Sequence, residues 1–306
     1  MTHEQTPSNP TRSTIRRLAI SLGITLAFVV VEILAGIFAN SLALLTDAAH
    51  NFTDVLALAL TGWALYVTTK PAHAGKTYGY HRAGILVALV NSTTLALIAL
   101  GIFYEAYKRF VTAPLVQADI LIGVGAMAVV VNLVTALLVR RGAEHDLNLK
   151  SAFLHLTGDV LSTVGAVAAG ILIHFTGLNW LDPLVSVLIG ILILWNAWGI
   201  LRESLEILME STPADIDMDV LRGDILAVEG VRGIHDLHVW SITSQLRYLS
   251  AHIVTEDVTV SVGAKVQAAV GRMLADRHEV RHATLQLECV ECDKHGQFCD
   301  CADPHA

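Results

Sequence analysis

Two short stretches carry the same polar device. His50-x-x-x-Asp54 and His155-x-x-x-Asp159 both run on into Val-Leu, so residues 50–56 and 155–161 match as H-x-x-x-D-V-L. On a helix, positions i and i+4 share a face. Two such helices turned toward each other therefore present two imidazoles and two carboxylates. That donor set suits a divalent metal: zinc takes nitrogen, oxygen and sulfur ligands in tetrahedral geometry, whereas magnesium and calcium favour all-oxygen cages. Two neutral imidazoles and two aspartates also cancel a 2+ charge. For one pair alone, a hydrogen bond between helices is an equal alternative; a pair repeated on two helices fits the metal better. Asp47, three residues before His50, shares roughly that face. With four ligands already filling a tetrahedron, it is expected to support or hydrogen-bond a ligand.

Both motifs lie in apolar surroundings. The 306-residue chain is 54% hydrophobic and only 16% charged, with mean hydropathy +0.57. A soluble domain would carry about 25% charge, so the composition is that of an integral membrane protein. The formal net charge of -8 excludes nucleic acid as a partner, because that requires a basic surface. Six apolar runs, Leu18–Phe38, Leu42–Thr68, Ala83–Tyr107, Ala118–Val139, Ala152–Phe175 and Leu181–Leu201, each approach the ~20 residues a helix needs to cross a bilayer. Charge inside lipid costs from about 2.5 kcal/mol per residue upward, so the His-Asp pairs are retained for a purpose. Glu32, Asn91, Glu105 and Asn132 are read as hydrogen-bonding glue between helices.

Arg12, Arg16, Arg17, Lys70, Lys76, Arg82, Arg140, Arg141, Lys150 and Arg202 all fall on one side of these spans; only Lys108 and Arg109 fall on the other. The positive-inside rule then places both termini in the cytoplasm. The polar first fifteen residues hold no apolar run ahead of a small-residue cleavage site, so no cleaved signal peptide is expected, and the short loops suit a bacterial inner membrane.

Past Arg202 the composition becomes that of a soluble domain. Ile216, Val220, Ile225 and Val228 have helical spacing; "VRGIHDLHVWSIT" and "QLRYLSAHIVTED" alternate as strands; a second helix and a third strand, "HATLQLEC", follow. The order αββαβ predicts a small α+β layer with its helices on one face of the sheet. The expected division is a cytoplasmic N-terminal segment over 1–15, a six-helix transmembrane domain over 16–205, a cytoplasmic α+β domain over 206–289 and a Cys/His-rich tail over 290–306.

"SLALLTDAAHNFTDVLAL", "YGYHRAGIL", "DLNLKSAFLHLTGDVLSTVGAV", "LDPLVSVLIG" and "HDLHVWSIT", together with six spans, resemble the zinc-transporter branch of the cation diffusion facilitator family. The resemblance covers nearly the whole chain after its first dozen residues. It implies a transport site at His50, Asp54, His155 and Asp159, a homodimer in the lipid bilayer, exchange of metal for protons, and a ferredoxin-like cytoplasmic domain that binds further metal. His at position 50 is similar to members that select zinc over manganese or iron. The chemistry agrees with proton exchange, since imidazole loses its proton near pH 6.5 and metal competes with protons for one site.

The same resemblance marks His235, His252 and Glu288 as cytoplasmic ligands for regulatory zinc, with Gln286 where some members carry histidine, and His238 and His282 as possible substitutes. Tyr80 stands at a ligand position of a loop site; "KPAHAGKTYGYHR" holds His73 and His81 but no carboxylate, so solvated histidines are expected there. Cys289-x-x-Cys292 and Cys299-x-Cys301 form a candidate thiolate chelate in the tail.

The leading expectation is a zinc exporter driven by proton antiport. Cadmium or cobalt as main cargo is the alternative within transporters. An intramembrane zinc enzyme is disfavoured, because four ligands close the site and no H-E-x-x-H is present. A metal sensor would not need the intramembrane pairs.

Overall fold

The chain is seen here as a computed structural model that describes residues 12–112, 114–143 and 147–289, with side chains described over 23–112, 114–137 and 156–289. Six long helices come first: α1 (Arg12–Ala39), α2 (Leu42–Thr68), α3 (Ala83–Thr112), α4 (Ala118–Ala143), α5 (Leu147–Thr176) and α6 (Leu181–Leu208). Every apolar run lies inside one of them, and most helices continue into the polar flank. Once a helix is nucleated, each further residue adds a backbone hydrogen bond, so composition alone does not stop it. Among the described residues four stretches are long and apolar enough to span a membrane: Ala83–Thr112, Ala118–Leu137, Leu156–Thr176 and Leu181–Leu208. The described apolar part of α1, Gly23–Ala39, is shorter. α2, which carries Asp47, His50, Asn51 and Asp54 in its first half, is not among the four.

The chain divides into two units, and the first comprises Met1–Trp63 with Val90–Ile200. Its helices approach closely where glycine leaves room. A Cβ on Gly36 would come within 2.8 Å of Leu45, one on Gly125 within 2.8 Å of Val167, and one on Gly190 within 2.7 Å of Phe103. Lipid supplies no hydrophobic drive between helices, so such close backbone approach and buried polar links hold them together. Leu95 and Ala99 of α3 pack on Ile189, Ile193 and Ala197 of α6.

One buried carboxylate organises the start of α2. α1 ends at Asn40, whose φ of 52° is left-handed, and the Ser41 N–H returns to the Gly36 carbonyl at 3.0 Å. The next helix then begins with unpaired N–H groups. Asp182 of α6 accepts from Leu42 N at 2.7 Å, Ala43 N at 3.2 Å and Ser41 Oγ at 2.5 Å, while Ser41 Oγ accepts from Leu44 N at 3.3 Å. A negative charge at a helix N-terminus is also favoured by the macrodipole. Arg109 of α3, itself buried, lies 3.8 Å from Asp182 and donates to the Asn40 carbonyl at 2.6 Å. Thus α1, α2, α3 and α6 meet at one ion-paired knot.

The second unit comprises Ala64–Leu89 with Leu201–Ala306. It holds α7 (Met218–Leu226), β1 (Gly233–Thr243), β2 (Leu246–Val254), α8 (Val260–His278) and β3 (Val280–Glu288). This is the expected αββαβ order. β1 pairs antiparallel with β2, and β2 pairs parallel with β3 through the α8 crossover, giving sheet order β1-β2-β3. Asp217 caps α7 by accepting from Asp219 N and Val220 N at 2.9 and 3.2 Å. Leu221 and Ile225 of α7 and Val266, Val270 and Leu274 of α8 pack on Leu237, Val239, Leu249, Ala251 and Ile253. Side chains alternate along a strand, so burying this set turns His252, Gln286 and Glu288 to the other face, and the register shift between His235 and His238 sets His235 opposite His252 on that face. Tyr248 of that face stacks on His282 at 4.4 Å and meets Tyr78 edge-on at 5.5 Å. Arg82 pairs with Glu210 at 2.9 Å.

Candidate metal centres

In the helical unit, α2 and α5 bring together residues more than a hundred positions apart. His50 Nε2 lies 3.1 Å from Asp159 Oδ1 and 3.6 Å from Asp54 Oδ2. One ligand atom from each of the three residues falls within 4.8 Å of the others. A tetrahedral zinc with bonds of ~2.05 Å has ligand-to-ligand edges of roughly 3.3 Å, so the two shorter separations already match such a cage. The His50 and Asp159 side chains are 11% and 8% exposed, while that of Asp54 is 31% exposed. His155 lies on α5 one turn before Asp159, but its side chain is outside the described residues.

Asp47 stands apart from the trio. Thr163 Oγ1 reaches its two carboxylate oxygens at 3.3 and 3.4 Å, and the Asp159 main-chain carbonyl at 2.8 Å. Asn132 of α4 donates to the same hydroxyl at 3.3 Å. On the other side, Asp47 and Glu32 of α1 interact electrostatically, and Asn51 donates to Glu32 Oε2 at 3.2 Å. Glu32 and Asn132 were expected as glue between helices; the structure ties both to the neighbourhood of the site. Spacing along one helix could not show this, since the partners come from α1, α4 and α5. Glu105 instead pairs with Lys108 and Arg109 on its own helix.

The second cluster sits at one end of the sheet's open face. His235 and His252 are register partners on β1 and β2, and Gln286 pairs with His252 across β3. Glu288 bridges the histidines: His235 Nε2 is 2.9 Å from Oε2, and His252 Nδ1 is 2.9 Å from Oε1. One ligand atom from each lies within 4.8 Å of the others. Burial pushes the Glu288 carboxyl up, but hydrogen bonds from His235 and Gln286 and the charge of His252 outweigh it and hold the group below its ordinary value. Gln286 donates to Glu288 Oε1 at 2.9 Å, which makes it a supporting group.

The candidate substitutes do not join this trio directly. His238 Nε2 lies 2.8 Å from Asp236, a bulge residue at φ 50°, and His282 stacks on Tyr248 at the far end of the face. Asp236 does approach His252 Nε2, at 3.6 Å. In the loop, His73 Nε2 lies 3.1 Å from the Tyr80 hydroxyl, with both exposed. Cys289 is exposed and free, while Cys292, Cys299 and Cys301 lie outside the described residues.

The model described as the cation efflux transmembrane domain matches residues 18–209, and that of the cation efflux protein cytoplasmic domain matches residues 213–290. The chain belongs to the cation efflux family. Membership makes it a divalent-cation efflux transporter rather than an enzyme. Among relatives of this transporter, the metal cation efflux system protein CzcD of Cupriavidus metallidurans is 37% identical over 279 residues, covering 91% of this chain and 88% of its own. A cadmium, cobalt and zinc/H(+)-K(+) antiporter of Bacillus subtilis is 38% identical over 274 residues, covering 89% and 88%. The zinc transporter ZitB of Escherichia coli is 32% identical over 301 residues, covering 97% and 94%.

Proposed function

We propose that this cation efflux transporter exports zinc from the cytoplasm in exchange for protons, at a site made of His50, Asp54, His155 and Asp159. One observation carries the reading: His50 and Asp54 of α2 and Asp159 of α5 converge with a ligand atom each inside 4.8 Å, within helices rich in apolar residues. Zinc binds neutral imidazole and ionised carboxylate, so its arrival displaces protons and protons returning displace it. A site that opens alternately to either side then couples metal exit to proton entry.

In this reading all six helices span a bacterial inner membrane, both termini are cytoplasmic, and the protein works as a homodimer. The match of residues 213–290 to the cation efflux cytoplasmic domain, whose family model is labelled a dimer domain, supports the last point. The sheet domain is of the ferredoxin-like kind, and His235, His252 and Glu288 hold regulatory zinc. The tail thiols of Cys289, Cys292, Cys299 and Cys301 assist metal capture.

Zinc as cargo is supported by the nitrogen and oxygen donor set and by the relatives named zinc transporters. Cadmium or cobalt as main cargo, by the same mechanism, is favoured by the name of the Bacillus subtilis relative. Purified protein in liposomes, loaded with a pH-sensitive dye and challenged with a panel of divalent ions, separates these. Zinc is expected to drive the largest proton flux. A larger flux with cadmium or cobalt selects the second reading, and metal entry without any proton movement overturns the antiport.

A further inference from the structure

We propose that Asp236 is a positioning residue of the cytoplasmic metal centre: its carboxylate holds the far ring nitrogen of His252 and so keeps the near one turned toward Glu288 and the metal. The inference rests on the reading of His235, His252 and Glu288 as a zinc site, and adds to it a residue that does not touch the metal.

An irregularity in β1 puts Asp236 in place. From His235 to His238 the strand takes three steps, while their register partners on β2, His252 and Ser250, are two steps apart. Asp236 lies in this bulge at φ 50°. A left-handed φ is costly for a residue with a Cβ, although Asp and Asn tolerate it best, and such strain concentrates at functional sites. Bulges also re-aim side chains. Here the bulge sets the Asp236 carboxylate between two imidazoles. Oδ1 lies 2.8 Å from His238 Nε2, and Oδ2 lies 3.6 Å from His252 Nε2.

The two nitrogens of His252 therefore face two carboxylates. Nδ1 lies 2.9 Å from Glu288 Oε1, and the other oxygen of Glu288 meets His235 at 2.9 Å, so Nδ1 is the nitrogen on the side of the trio. A neutral imidazole that gives one nitrogen to a metal carries its proton on the other. In metal sites that N–H is commonly held by a carboxylate, which fixes the tautomer and the ring orientation. Asp236 Oδ2 stands where this acceptor belongs. Its 3.6 Å separation is that of an ion pair rather than a hydrogen bond, and the contact is completed when metal on Nδ1 commits the proton to Nε2. His238 braces the carboxylate through Oδ1 and leaves Oδ2 for His252. That gives His238 a supporting role in place of a ligand's.

The test follows zinc binding by the purified full chain in detergent, with Asp54→Ala and Asp159→Ala present so that the cage does not compete. The binding component lost in His252→Ala defines the cytoplasmic site. Gly and Asn both accept a left-handed φ, so Asp236→Gly and Asp236→Asn remove the carboxylate and keep the bulge. Asp236→Gly is expected to weaken that component about 10–100-fold. Asp236→Asn should fall in between, because its amide oxygen still accepts an N–H. The metal-free thermal midpoint is expected to stay near that of the parent protein. Added to His252→Ala, Asp236→Gly should leave the residual zinc binding unchanged, since the nitrogen through which it acts is gone. Zinc affinity in Asp236→Gly equal to the parent overturns the proposal. So does a residual affinity that falls as far without His252 as with it, or a loss seen only alongside a fallen metal-free midpoint in both variants. Failure of the underlying reading looks different: no binding component is then lost in His252→Ala, and the proposal falls with the site.

Discussion

His50 on α2 and Asp159 on α5 are 109 residues apart in the chain, yet place Nε2 and Oδ1 3.1 Å from each other. Around that contact the donor types set what can bind. An imidazole among carboxylates shifts preference from hard, all-oxygen cations toward zinc.

Replacing that imidazole changes the preference before it changes the machine. His50→Asp is expected to raise manganese transport relative to zinc while metal-driven proton flux persists. Competitive transport of the two ions in liposomes checks it, and an unchanged ratio counts against the role given to His50.

Asp182 supports a stability prediction. Its carboxylate serves Ser41, Leu42 and Ala43 and faces Arg109, all in a buried knot. Asp182→Ala strands the Leu42 and Ala43 N–H groups and takes one carboxylate from Arg109, which keeps Glu105 and the Asn40 carbonyl, and is expected to cost about 1–3 kcal/mol. The thermal midpoint in detergent should fall clearly, with Asp182→Asn in between. A midpoint equal to wild type in Asp182→Ala would show that the knot does not secure α2.

Much of this was legible beforehand. The paired H-x-x-x-D-V-L stretches pointed to the two helices on which His50, Asp54 and Asp159 come together, because helical periodicity is local, and the αββαβ order followed from strand alternation. The knot at Asp182 was not legible. "LDP" reads as a helix start, and nothing in its spacing shows that the carboxylate would cap a different helix 140 residues away. Glu32 does link helices as a polar residue in lipid should, accepting from Asn51 of α2 at 3.2 Å, but which helix supplies its partner is not visible in the spacing of α1. Asn132 reaches that neighbourhood through Thr163.

Glu288 gives a pH prediction. Its carboxyl is held below its ordinary 4.5, so the stability it confers is complete above that value and is lost as pH falls through the lower folded value. In metal-free detergent solution, Glu288→Gln should flatten the acid limb of the thermal midpoint against pH. Equal slopes in both proteins would mean that the bridge to His235 and His252 contributes nothing.

Packing gives a fourth. A Cβ at Gly190 would press within 2.7 Å of the Phe103 ring. Gly190→Leu is expected to destabilise the α3–α6 contact by about 1–3 kcal/mol or more. Phe103→Ala should partly relieve it in a double-mutant cycle, and strictly additive effects would place the strain elsewhere.

The most direct measurement of the central claim is zinc accumulation in inside-out membrane vesicles under an imposed proton gradient. Wild-type vesicles should accumulate zinc and lose it when a protonophore collapses the gradient. Vesicles with equal amounts of inserted Asp54→Ala or Asp159→Ala should accumulate none above background. Wild-type rates in either variant would contradict the assignment of the transport site to the cage between α2 and α5.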